Sequence, residues 1–95
     1  EIMGKIATVG GGDAGSIIVS GHTDNVPLMF GSPFRDNWDL AAARASSVVQ
    51  AMEQSGGTNS EKMKAVSHGE AKPIQSNETA AGRAKNRRIE IEIQY

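Results

Sequence analysis

Ninety-five residues make one small domain, enough for a single hydrophobic core and too short for two. Composition at 38% apolar and 22% charged excludes a disordered chain, and a net charge of −1 argues against the basic surface that nucleic acid requires. No run approaches the roughly 18 apolar residues that span a bilayer, and the lack of cysteine excludes disulfides and thiolate metal sites while leaving the compartment open. The chain opens at Glu1 in what reads as mid-helix, so a targeting segment is expected upstream.

Ile2, Ile6 and Val9 lie at helical spacing and predict a helix ended by Gly10, Gly11 and Gly12. Gly10, Gly12 and Gly15 formally satisfy a dinucleotide fingerprint, but that motif needs a strand before it and a helix after it, and here the order is reversed. Residues 16–21 (SIIVSG) predict a strand whose continuous apolar run implies burial on both faces. Asp24 to Asp36 is a long loop with Pro27, Pro33 and the apolar Leu28, Met29 and Phe30; loops of this length tend to be functional or mobile.

Asn37 is read as the N-cap of a helix running to about Gln54, with Trp38, Ala42, Ala45, Val49 and Met52 as its core stripe and Ser55, Gly56 and Gly57 as its stop. Its alanines predict a helix lying close against the sheet. A turn over Thr58–Lys62 leads into a short strand, Lys64–Ser67, and a loop fixed by Pro73. Asn77–Lys85 is read as helix. In Arg88–Tyr95, Ile89, Ile91 and Ile93 alternate with Glu90, Glu92 and Gln94, the period of a strand with one wet face. The first two strands and the helix between them form a βαβ unit with a right-handed crossover, and the last strand is expected antiparallel. The expected fold class is therefore α/β, an α+β sandwich with a mixed sheet and helices packed on one face.

Chemistry concentrates between Gly21 and Ala45. Asp24 follows the carboxyl end of a parallel strand, where α/β folds place ligand sites, and Arg44 sits about two turns into the next helix. A carboxylate and a guanidinium facing one crevice make a receptor for a zwitterion, with ammonium on one and carboxylate on the other. The competing reading is a salt bridge that pins loop to helix. Asn37 serves either as a plain cap or as part of the rim. Ser20, His22 and Asp24 lie two apart on one strand face, but a catalytic triad needs a base bonded to both partners and an oxyanion hole, and side chains in a row rarely meet that geometry. His22 is expected to be a partly buried, hydrogen-bonded residue. His22 and His68 lie too far apart in sequence to form a metal motif. Asn77-Glu78-Thr79 is a glycosylation triplet without secretory context. The cluster Arg83, Lys85, Arg87 and Arg88 is either a solvated helix end or the source of an arginine that reaches the Asp24 crevice.

Taken in order, Gly21-His22-Thr23-Asp24, Asn37-x-x-Leu40, Arg44-Ala45, Gly69-Glu70-x-x-Pro73, Asn77-x-Thr79 and Gly82-Arg83-x-x-Asn86-Arg87-Arg88 resemble the OmpA-like peptidoglycan-binding domain over residues 16 to 95. The extended loop into Phe34-x-x-Asn37-Trp38-x-Leu40 is more similar to flagellar stator B subunits of the MotB and PomB type than to outer-membrane porins or the Pal lipoprotein. The resemblance implies a non-catalytic cell-wall anchor without a cofactor, in the periplasm and tethered to the inner membrane through an upstream segment. It implies that Asp24 takes the ammonium and Arg44 the carboxylate of stem-peptide diaminopimelate, with Thr23, Asn37, Leu40 and Arg87 lining the site. Implied partners are peptidoglycan, a second copy in a homodimer, and other flagellar motor or periplasmic proteins. Alternatives are a cell-wall anchor on an outer-membrane protein, lipoprotein or secretion-system component, and a protein-interaction module in which Asp24–Arg44 is structural. Three departures stand out: Ala41 replaces the family's usual serine, His68 replaces its usual aromatic residue, and the family's first strand would lie before residue 1. In stator proteins, as the resemblance implies, the ion-binding aspartate lies in an upstream helix.

Overall fold

The computed structural model describes residues 15–56 and 60–95. The helix expected over 1–9 and the glycines at 10, 11 and 12 lie outside them, as do Gly57 of the expected helix stop and the first two residues of the turn expected over 58–62. The described elements are β1 (Ser16–His22), α1 (Asn37–Gln54), a single 3-10 turn (Ser60–Lys62), β2 (Met63–Gly69), α2 (Ala80–Asn86) and β3 (Arg88–Gln94).

The three strands form one mixed sheet in the order β2-β1-β3. β1 runs parallel to β2, with Ile17 opposite Met63 and Val19 opposite Ala65. It runs antiparallel to β3, with Ile17 opposite Ile93, Val19 opposite Ile91 and Gly21 opposite Ile89. Both directions agree with the sequence pattern. β2 is longer than the expected Lys64–Ser67, because pairing with β1 carries the strand out to Met63 and Gly69.

α1 packs across β1 and β2. Ile17, Val19, Ala45, Met52 and Met63 form the buried core, with Val48, Val49, Ile89, Ile91 and Ile93 packed against it. Full burial of each larger aliphatic side chain contributes roughly 1.5–3 kcal/mol. The alanines do permit close approach. A Cβ built on Gly21 would lie 2.2 Å from the carbonyl oxygen of Ala41, so only glycine lets the helix backbone rest on the strand.

Three expectations need correction. Burial along β1 alternates: Ile17, Val19 and Gly21 are covered by α1, whereas Ser16, Ile18 and Ser20 on the other face are only half-buried. An apolar run does not reveal whether anything covers its second face. The core stripe of α1 begins Asn37, Ala41, Ala45 rather than Trp38, Ala42, Ala45. Ala41 is the residue that faces Gly21, and the helix so turned leaves Trp38 48% exposed with its ring against Gly69. The N-cap of α1 is Asp36, not Asn37: the Asp36 carboxylate accepts from the Asp39 amide at 2.9 Å, and the Asp39 carboxylate accepts from the Arg35 amide at 3.1 Å. The first bond satisfies a free helix-end donor, and the second is a capping-box-like back-bond displaced by one residue, onto the amide that precedes the cap.

Candidate ligand-binding site

The loop leaving β1 is fixed by its own polar groups. The Thr23 amide continues the ladder by donating to the Gly69 carbonyl at 2.8 Å, and the Thr23 hydroxyl donates to the Asp24 carbonyl at 2.8 Å. Asp24 Oδ1 accepts from the Val26 amide at 3.1 Å, an Asx-type turn that orients the carboxylate. Freed from capping, the buried Asn37 directs its side-chain amide back to the Asp24 and Val26 carbonyls at 3.3 and 3.1 Å and to Glu70 Oε1 at 3.4 Å. Asn37 thus ties the Asp24 loop to the first turn of α1.

The other wall comes from α2 and the turn before it. Thr79 caps α2 by accepting from the Gly82 amide at 3.0 Å. A Cβ on Gly82 would lie 1.9 Å from the Ser76 carbonyl oxygen, so the helix sits directly on its preceding turn. Asn86 is completely buried and fully satisfied: it accepts from the Ile74 and Gln75 amides at 2.8 and 3.0 Å and donates to the Gln75 carbonyl and Asn77 Oδ1 at 2.9 and 2.7 Å. Asn77 and Thr79 of the glycosylation triplet are thereby committed to the fold. These bonds place Arg87, which immediately follows.

Thr23, Asp24, Asn37, Leu40, Arg44 and Arg87 all line one open cavity of about 320 Å³, together with Arg83 and loop residues Val26, Pro27, Leu28 and Met29. The structure thus brings together every residue expected at the site, at the carboxyl end of β1. Asp24 and Arg44 are not paired with each other. Asp24 Oδ2 accepts from Arg87 Nη1 at 2.7 Å, and Arg87 is the arginine from the basic cluster that reaches the crevice. Among the described residues Arg44 has neither an ion pair nor a hydrogen bond, and it is exposed. The structural Asp24–Arg44 salt bridge is therefore corrected to Asp24–Arg87. A larger, apolar groove of about 470 Å³ shares Leu40 and Arg44 but has no carboxylate in its lining, so it lacks the opposite charges that a zwitterion needs.

Arg83 belongs to the basic cluster but not to the expected site set, and it too lines the cavity; it lies one turn before Arg87, whose amide donates to the Arg83 carbonyl at 3.1 Å.

His22 does not form a triad, because the Asp24 carboxylate is engaged by Val26 and Arg87. Nor is it hydrogen-bonded as expected. It is buried, its ring stacks on His68 with centroids 4.9 Å apart, and neither ring nitrogen has a hydrogen-bond partner among the described residues. Glu90 Oε2 lies 3.6 Å from its Nε2, while Arg88 holds that same carboxylate. Burial lowers the His22 pKa below 6.5, with Arg88, His68 and Lys72 adding to the effect and Glu90 opposing it. Among the described residues no three acidic, histidine or cysteine side chains converge as metal ligands, and no helix is long and apolar enough to cross a membrane.

The chain matches the OmpA family over residues 3–87. It is 42% identical over 78 residues to Motility protein B of Bacillus subtilis, an overlap that covers 82% of this chain and 30% of that protein. It is similar to the C-terminal domain of Helicobacter pylori MotB, with a TM-score of 0.84 at 32% identity, covering 99% of this chain and 69% of that one. It is also similar to the cell wall anchor of the T6SS from Pseudomonas aeruginosa, with a TM-score of 0.70 at 36% identity, covering 81% and 52%. The chain thus spans less than a third of the Bacillus relative's length.

Proposed function

The chain belongs to the OmpA family and is of the MotB type, and from that premise we propose that it is a non-catalytic peptidoglycan-binding domain that anchors a flagellar stator complex to the cell wall. The ligand is the free zwitterionic end of diaminopimelate in the stem peptide. Its ammonium meets the Asp24 carboxylate, and its carboxylate meets the Arg44 guanidinium in a bidentate pair. Asp24 keeps acceptor capacity for this, since each of its oxygens receives a single protein donor and has a second lone pair. Leu40, Val26 and Pro27 supply apolar wall for the methylene chain between the charged ends, and Thr23 and Asn37 hold the loop in shape.

The observation that carries this reading is the state of Arg44: a guanidinium without an acidic partner among the described residues, lining the same cavity as Asp24. A structural ion pair would have joined the two. The domain works in the periplasm, joined to the inner membrane through sequence outside this chain. A small polar ligand gives modest single-site affinity, and a homodimer facing a polymeric wall recovers strength through effective concentration. The similarity to a secretion-system cell wall anchor supports a second reading, in which the same wall-binding module serves that assembly.

Co-sedimentation with purified sacculi of the diaminopimelate type tests the function. Wild type is expected to pellet, whereas folded Asp24→Asn and Arg44→Ala stay in solution. Equal pelleting of all three would remove the site from the proposal, and failure of wild type to pellet would remove the function.

A further inference from the structure

The charges lining the cavity do not balance for a simple zwitterion. Three guanidiniums, those of Arg44, Arg83 and Arg87, face the single carboxylate of Asp24. Arg87 is committed to that carboxylate. Arg44 takes the one carboxylate of the zwitterion in the reading above, on which this inference rests. Arg83 is then left over, and it has no acidic partner among the described residues.

Arg83 is also held in place. Its Nη1 donates to the Asn77 carbonyl at 2.8 Å, and Asn77 is itself bonded to the buried Asn86. That contact involves one edge of the guanidinium and leaves the Nε–Nη2 edge, the other bidentate face of the fork, without a partner among the described residues. A planar fork already oriented by the protein loses less freedom on meeting a carboxylate than a free surface arginine does. Lys85, by contrast, does not line the cavity and fits the solvated helix end considered for the whole cluster.

We propose that Arg83 receives a second carboxylate of the ligand, distinct from the one bound by Arg44. The ligand class is then a peptide that carries the diaminopimelate zwitterion and one further free acid nearby. Wall peptides in which that further acid is amidated are bound more weakly, so Arg83 sets a preference among chemical variants of the wall.

The test is a calorimetric titration with two synthetic peptides. Both contain diaminopimelate with its free zwitterionic end; one carries a further free carboxylate, and in the other that carboxylate is a primary amide. Wild type is expected to prefer the free acid by about tenfold, at the low end for a charge-assisted pair because Arg83 is partly exposed. Arg83→Gln is expected to bind both peptides alike, near the wild-type affinity for the amide, and Arg83→Lys to keep part of the preference. The ratio of the two affinities is read within each variant, so a loss of stability from the Asn77 contact does not alter it. Equal binding of both peptides by wild type, or a preference that survives in Arg83→Gln, overturns the role of Arg83 while leaving the zwitterion site intact. Binding of neither peptide by wild type overturns the zwitterion site and this inference together.

Discussion

Arg44 and Arg87 are the same side chain put to different tasks by what stands beside them. Arg87 neutralises Asp24 and fixes its carboxylate, whereas Arg44 faces the same cavity without a partner among the described residues. The convergence of Arg44 with Asp24 was legible in the sequence, because a strand end, a polar loop and a helix start can bring those positions to one crevice, whereas Arg87 entered only through the basic cluster and the family resemblance. Which arginine would pair with Asp24 was not legible, since that depends on how α2 is seated by Asn86. Asp36 and Asn37 are both good capping residues, and the choice between them turned on burial: the Asn37 amide is needed inside, on the Asp24 loop. Asn86→Ala should lower stability by roughly 2–4 kcal/mol, measured by urea unfolding, because several buried backbone groups lose their partner at once. His22 makes a second prediction. Above pH 6.5 it is neutral folded or unfolded; as pH falls below that, the unfolded chain takes up a proton that the buried ring resists. Melting temperature should therefore drop on acidification from pH 7.5 to 5.5, and His22→Gln should flatten that dependence. Glu90, whose pKa is lowered chiefly by its hydrogen bond to Arg88, loses its contribution only as pH falls below 4.5, outside this window.

At the scale of elements, β3 was the clearest to read, because strict alternation over Arg88–Gln94 leaves one arrangement that buries its isoleucines. β1 was harder. Its apolar run Ile17-Ile18-Val19 fits burial on both faces as well as on one, and only the placement of α1 decides. The same placement sets Ala41 over Gly21 and leaves Trp38 half-exposed, with its ring over Gly69 of β2. Gly21→Ala should destabilise the domain by about 1–3 kcal/mol or more, because the added methyl meets helix backbone rather than a mobile side chain. Asp36→Ala should cost about 1 kcal/mol through loss of the cap. Thermal unfolding of both variants, with the exposed Lys64→Ala as control, checks the ranking; an Asp36→Ala more damaging than Gly21→Ala would contradict it.

Over the whole molecule, a net charge of −1 conceals a local excess of guanidinium in one cavity. Composition indicated a small folded domain but not this segregation, which arises only when α1, α2 and the β1 loop meet. Recognition through exposed guanidiniums should weaken with ionic strength, since charges separated by more than about 8–10 Å are screened near physiological salt. Fusing the domain to a dimeric coiled coil should raise retention on sacculi well beyond the monomer's, if the linker lets both sites reach the wall. The most direct measurement compares two otherwise identical peptides, one ending its side chain in the diaminopimelate zwitterion and one carrying lysine, which keeps the ammonium and lacks the carboxylate. Calorimetry should show wild type binding the diaminopimelate peptide roughly tens- to thousands-fold more tightly, and Arg44→Ala failing to distinguish the two. Equal affinity of wild type for both peptides would contradict a site built around Asp24 and Arg44 for the two ends of one zwitterion.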